Sequence, residues 1–472
     1  MRLIEQPTLV GSVGMVGGKV FLTYPLHAAF VGSVPVLRWY GQWFDASTGE
    51  ALAERDLFGT TGDQRGPMLA READTLFGWF FVDAMNRIPA GPATERVTRF
   101  RARHVGDATS SLELTRVALS LYREEPHNTI GSEGFYPAGA EDLLPSVLTW
   151  TGPWFVYHAR APRCDSPYQN ARRLLSFDER GGQGYLVFYP DDSTCNPSER
   201  YRVGNATALA GDDGSAIVLY REGTAPAGGA VMLARVDPAT HRPLGPPVRV
   251  GSDASGYYLD GGFQVSAVTV AGGGLLFFER AQACHYHYGP DCKDDGLEWF
   301  PSNYNDCSIL RHAGQDGSRP RHAAWQLPCL RLSNSEVFYE VMRTNRRFLG
   351  KLPRGRAVAV WNERNRYGLL TYVQLVTRDT PWREGIYLAM VTEDGLRGSE
   401  VVRVTDDEAT ALPPRPERTE TYGPFPADFD LDIATEGDRV FVAWQDRRRH
   451  APGIYGRLFR CTDAPGPDAA AP

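Results

Sequence analysis

One supersecondary pattern recurs along the chain and leaves little choice of fold. The clearest copy lies in DFDLDIATEGDRVFVAWQDRRRHAPGIYGRLFR, residues 428–460. Residues 430–435 alternate apolar and polar, a Glu-Gly-Asp turn follows, residues 440–445 run apolar, and a polar connection leads to the strand-like 454–459. Short β-branched and aromatic runs separated by Gly/Asp turns predict antiparallel sheet. The unit recurs at 13–16, 20–24 and 35–44, then at 68–71, 76–82 and 96–101. It returns at 206–209, 216–220 and 230–236, at 264–270, 275–279 and 308–312, and at 357–361, 369–376 and 386–391. A looser copy has strands at 146–150 and 154–158, with 173–177 and 185–189 competing to be its outer strand.

Between copies sits one more short strand, such as 248–251 or 401–405. Each unit then has four strands, and seven units fill the 472 residues. Four-stranded antiparallel units repeated radially predict an all-β, seven-bladed β-propeller. The propeller is expected over residues 1–460, with a Pro/Ala-rich tail at 461–472. Because each copy brings its own four strands, the first and last blades are expected to abut without sharing one. The 49 glycines and 34 prolines suit a chain of turns rather than long helices.

The last copy carries Val440, Val442, Trp444 and Asp446 in alternation, then Arg447, and Ile454, Tyr455 and Phe459 in its next strand. This resembles the blades of secreted bacterial seven-bladed propeller repeat proteins, some of them sialidase-like. The resemblance implies the fold and leaves activity open. Sialidase blades carry an S-x-D-x-G-x-T-W box between their third and fourth strands, and no copy here has it.

The net charge of −7 argues against a nucleic-acid backbone as the main partner. No run of about 18 apolar residues predicts a transmembrane helix. The start, MRLIEQPTLVGSVG, lacks a charged head followed by a long apolar stretch. That fits either a cytoplasmic chain or numbering that begins after a removed leader. Six of the seven cysteines (Cys164, Cys195, Cys284, Cys292, Cys307, Cys329) fall in polar, loop-like stretches, and Cys461 is left over. Neighbours in sequence can pair, 164 with 195, 284 with 292 and 307 with 329, among fifteen possible pairings. Disulfides would make this an exported protein, extracellular, periplasmic or at the cell surface; free thiols would suit a reducing cytosol.

If the between-copy strand is innermost, the loops fall on two faces. Tight turns occupy one, at 17–18, 72–75, 151–153, 212–214 and 436–438, with short turns at 45–50 and 393–398. Long segments occupy the other, at 122–143, 159–171, 280–305, 406–427 and a stretch ending near 353. Long loops on a rigid scaffold carry function disproportionately, so the second face is the expected binding side.

That face gathers Glu133, Tyr136, Trp299, Arg346 and Tyr422, rings and charges suited to sugars, peptides and carboxylates. His285 and His287 alternate beside Asp291 and can offer two imidazoles and a carboxylate to zinc, or simply pack in a loop flanked by Cys284 and Cys292. Asp428, Asp430 and Asp432 form another alternating row, suited to calcium, to acid–base work, or to discouraging edge pairing. The reading is therefore a propeller binding a glycan or protein partner on its loop-rich face. The alternatives are a glycoside hydrolase or polysaccharide lyase using carboxylates at the channel mouth, and a structural scaffold subunit.

Overall fold

In the computed structural model, the described residues are 1–6, 8, 10–31, 34–61, 67–72, 75–81, 97–105, 109–117, 146–149, 153–160, 172–178, 183–186, 201–224, 228–251, 266–283, 304–323, 325, 330–332, 347–363, 385–405, 431–446 and 453–461. They are nearly all strand, with no α-helix among them and two three-residue 3-10 turns.

Strand β1 (Arg2–Ile4) stands apart in sequence from the sheet it joins. A first sheet follows from β2 (Val13–Val16), β3 (Lys19–Val31), β4 (Val34–Asp45) and β5 (Asp56–Thr61). The next holds β6 (Met68–Glu72), β7 (Thr75–Phe81), β8 (Val97–Val105) and β9 (Thr109–Val117). Another comprises β10 (Ser146–Thr149), β11 (Pro153–Arg160), β12 (Arg172–Asp178) and β13 (Gln183–Leu186). Then come β14 (Tyr201–Ala210), β15 (Ala216–Thr224) and β16 (Gly228–Asp237), whose outer neighbour is split into β17 (Arg242–Pro243) and β18 (Val248–Arg249). The fifth sheet is alike, with β19 (Ala267–Val270), β20 (Gly274–Ala283), β21 (Tyr304–Gly314) and the outer pieces β22 (Arg321–His322) and β23 (Leu330–Leu332). The sixth holds β24 (Arg347–Lys351), β25 (Ala357–Glu363), β26 (Gly385–Val391) and β27 (Val402–Arg403). The last holds β28 (Leu431–Glu436), β29 (Arg439–Asp446) and β30 (Gly453–Arg460), with β1 on its outer edge. Every pairing is antiparallel between chain neighbours except β1 with β30, and the split outer pieces that share one third strand.

The second strands explain the packing. A strand points successive side chains to opposite faces, so a strand buried on both sides reads as an unbroken apolar run. Val440 and Val442 pack with Val358, Val360, Ile386 and Leu388 of the sixth sheet. Phe441 and Ala443 turn the other way, onto Val13, Met15, Val20 and Leu22 of the first. Phe21 and Trp43 of the first sheet meet Leu76 and Phe100 of the second. Ile217 and Leu219 meet Leu275 and Phe277, and Leu276 and Phe278 meet Ala359 and Trp361. These sheets therefore stack face to face, with layers of core between them.

The first strands touch in sequence: β2 lies against β6, β6 against β10, β10 against β14, β14 against β19, β19 against β24, β24 against β28, and β28 against β2.

Three expectations are corrected. The ends do share a strand: β1 completes the last sheet by pairing Arg2 with Tyr455 and Ile4 with Ile454. The between-copy strands are outermost rather than innermost, because β18 and β27 pair only with third strands and leave Val248 and Val402 exposed. In the sixth unit, residues 357–361 belong to the second strand rather than the first, since β24 precedes them and packs on its neighbours; the 369–376 run lies outside the described residues. The rivalry at 173–177 and 185–189 resolves into consecutive strands, β12 and β13, paired at Leu174–Leu186 and Leu175–Tyr185.

Candidate functional site

The strand frame moves by one place, yet the division of the chain into two rims survives. Each first strand ends at its tight turn into the second, and third strands turn into fourth strands at the same rim. The opposite rim receives the chain between second and third strands and between successive sheets. The long segments 82–96, 118–145, 187–200, 252–265, 284–303, 333–346, 364–384 and 406–430 all depart from strand ends on that rim.

Glu133, Tyr136, Trp299, Arg346 and Tyr422 lie on those segments, outside the described residues, and so do His285, His287, Asp291, Asp428 and Asp430. Cys164, Cys195, Cys284, Cys292 and Cys329 lie outside them as well, and only the backbone of Cys307 is described. Among the described residues no cluster of three or more His, Cys, Asp or Glu side chains could hold a metal ion.

What the described residues give is the frame on which this rim stands. Asp432, at the start of β28, accepts the Val13 backbone N–H through Oδ2 at 2.7 Å, joining last and first sheets. Ser12 donates its hydroxyl to the Pro67 carbonyl, joining first and second. Ser266 Oγ accepts the Leu349 N–H at 2.7 Å, joining fifth and sixth. First strands expose one unpaired backbone edge, and these side chains satisfy it from the neighbouring sheet. The Asp430–Asp432 alternation thus conceals a division of labour that sequence reasoning did not separate: Asp432 is committed to the frame.

The tight rim is bound up in its own hydrogen bonds. Glu436 accepts Gly17 N at 2.7 Å and Gly18 N at 2.8 Å, and Arg71 pairs with it at 3.0 Å. Gly17 and Gly18 both have positive φ, which turns their two N–H groups toward one carboxylate. Gln315 exchanges two hydrogen bonds with Asp212, each 2.9 Å, and donates its backbone N–H to Gly273 O. Lys351 Nζ donates to Thr269 Oγ1 at 2.8 Å. Glu436 and Arg71 were missed by motif reasoning; the signal available was the Gly17-Gly18 pair, which calls for an anion.

The turns of this rim repeat one device. Asp45 accepts Ser47 N at 2.8 Å and Ser47 Oγ at 2.5 Å, Asp213 accepts Ser215 N and Oγ, Asp237 accepts Ala239 N and Thr240 Oγ1, and Asp316 accepts Ser318 N. The hydroxyl of Ser47, Ser215, Thr240 or Ser318 is the largest cause holding each carboxyl below the usual range. Carboxylates so occupied stay ionised and engaged, which suits turns and not a general acid. At the edge between the fifth and sixth sheets, His312 is held below the usual imidazole range by burial first and by Arg321 second, against the pull of Asp394.

No family model matches the chain, and no curated protein matches it. Among solved structures, it is similar to a protein of unknown function from Dyadobacter fermentans, at 12% identity and TM-score 0.41, over 98% of each chain. It is also similar to the Hadza microbial sialidase Hz136, at 11% identity and TM-score 0.41, over 91% of this chain and 74% of that one. A Trypanosoma rangeli sialidase aligns at 6% identity and TM-score 0.39, over 96% of this chain and 55% of that one.

Proposed function

We propose that the sheets are the blades of a seven-bladed β-propeller and that it binds a glycan on its loop-bearing rim. The observation that supports this reading is the division of the two rims. One is built of tight turns whose carboxylates and amides are bonded to each other, while the long segments all leave from the other. A rigid ring that spends its chain length on one rim is arranged to present side chains there. Trp299 and Tyr422 offer ring faces for sugars, Arg346 offers a carboxylate partner, and Glu133 and Tyr136 offer hydrogen bonds. Calcium at Asp428 and Asp430, or zinc at His285, His287 and Asp291, would order the same rim. Export, with Cys164, Cys195, Cys284, Cys292, Cys307 and Cys329 oxidised, belongs to this reading.

A glycan array run beside a hydrolysis assay tests it. Binding without turnover is expected, weakened by ~1–3 kcal/mol in Trp299→Ala and Tyr422→Ala while the circular dichroism stays native. Release of reducing or unsaturated sugar that Asp428→Asn abolishes would replace the binder with a glycoside hydrolase or polysaccharide lyase. Ligand contacts confined to the tight-turn rim would overturn the choice of face.

A further inference from the structure

Strand β30 carries a slot made by two missing side chains. A Cβ on Gly453 would fall on the Ile4 carbonyl oxygen, and one on Gly456 would lie 2.9 Å from Leu3 Cδ1 and against the Phe441 ring. Leu3 and Ile4 fill the slot and are both 8% exposed. The Met1 backbone nitrogen donates to Gly456 O at 3.0 Å, and Gly456 N donates to Met1 O at 2.9 Å. The occupant is three residues of strand, and it comes from the far end of the sequence from its partner. Other outer strands follow their third strands directly in the chain.

From this we infer that the β30 slot is a strand-acceptor site whose second occupant is residues 1–4 of another copy of this chain. The same four residues fit the same slot whichever molecule supplies them, so exchange makes a reciprocal dimer with no new contact. The intramolecular strand competes at an effective concentration on the order of millimolar through its short connection. The closed monomer therefore dominates in dilute solution, and the exchanged dimer is reached by concentration or by transient opening of the short outer strand.

The test separates donor from acceptor in the full chain. Gly453→Val closes the slot and frees its own β1, making a donor. Leu3→Asp with Ile4→Asp leaves the slot vacant, making an acceptor. Each variant alone is expected to be monomeric, and their mixture to give a species of twice the chain mass in light scattering. An excess of the peptide MRLIEQ should return the mixture to monomer. A mixture that stays monomeric, with both variants showing native circular dichroism, overturns the inference. Should either variant unfold, native mass spectrometry of isotopically light and heavy wild-type chains decides. Mixed dimers that rise with concentration and vanish with MRLIEQ are expected; their absence up to about millimolar chain overturns it.

Discussion

The carboxylate of Asp432 receives the backbone N–H of Val13 at 2.7 Å, so the inner strands of the last and first sheets are joined by a side chain where no sheet ladder runs. On the outer side the same two ends of the chain are joined by β1 on β30. Removing the acceptor leaves a part-buried amide with no ready substitute. Asp432→Ala is expected to cost about 1–3 kcal/mol, read from the urea midpoint at unchanged m-value, with Asp432→Asn costing less.

Glu436 does the corresponding work at the tight rim, and its two amide donors and one guanidinium are unequal. The amides of Gly17 and Gly18 are fixed by the turn, whereas the Arg71 side chain is 37% exposed. Glu436→Ala should lower stability by about 1.5–3 kcal/mol, the range for hydrogen bonds to a charged group. Arg71→Ala should cost less than about 1 kcal/mol, as exposed ion pairs do. Equal losses in the two variants would show that the ion pair, not the turn, carries the contact.

His312 gives the ring a pH dependence with a definite sign. Its folded pKa is depressed, chiefly by burial, so the unfolded chain binds the proton more readily. Stability is then full above about pH 6.5, the unfolded imidazole value, and falls as pH drops from there toward the folded value. Chemical denaturation from pH 7.5 to 5 should show that decline, and His312→Gln should flatten it. Removing Asp394, which pulls the other way, should steepen it.

Burial pushes the Cys461 thiol up to about 11, so at pH 8 it is neutral as well as enclosed. It should resist iodoacetamide in the folded protein and react on unfolding. Denatured, unreduced protein from its own compartment should then show one thiol if the other six cysteines are paired. A count of seven would refute export in an oxidised state.

The sheets were legible in the sequence because alternation and Gly/Asp turns are local. The second strands, such as residues 440–445, were plainest, being apolar on both faces. What was not local was not legible. Whether a strand is inner or outer depends on which neighbour it packs against, and the two-residue β27 gives no sign of its place. Strand β24, RFLGK, looks polar in sequence although Phe348 and Leu349 pack into the layers on its two sides, so the sixth unit slipped by one strand. Strand β1 is three residues whose partner lies at 453–460, and only Gly453 and Gly456 hint at it, by what they leave out. The candidate rim rests on segment lengths, which sequence shows as well as structure does.

The closing strand also fixes where the chain can be tethered. β30 runs toward the tight-turn rim and ends at Arg460, and β1 is antiparallel to it, so Met1 sits near the same rim, with its side chain against Gly49. Met1 is in register with Gly456, midway along β30, and the Cys461 N–H meets the Asp438 carbonyl in the tight turn, so both ends of the described residues lie toward that rim. A fusion or immobilising tag joined ahead of Met1 will hold the molecule from the tight-turn side, and the strand ends from which the long segments depart will face away from the support.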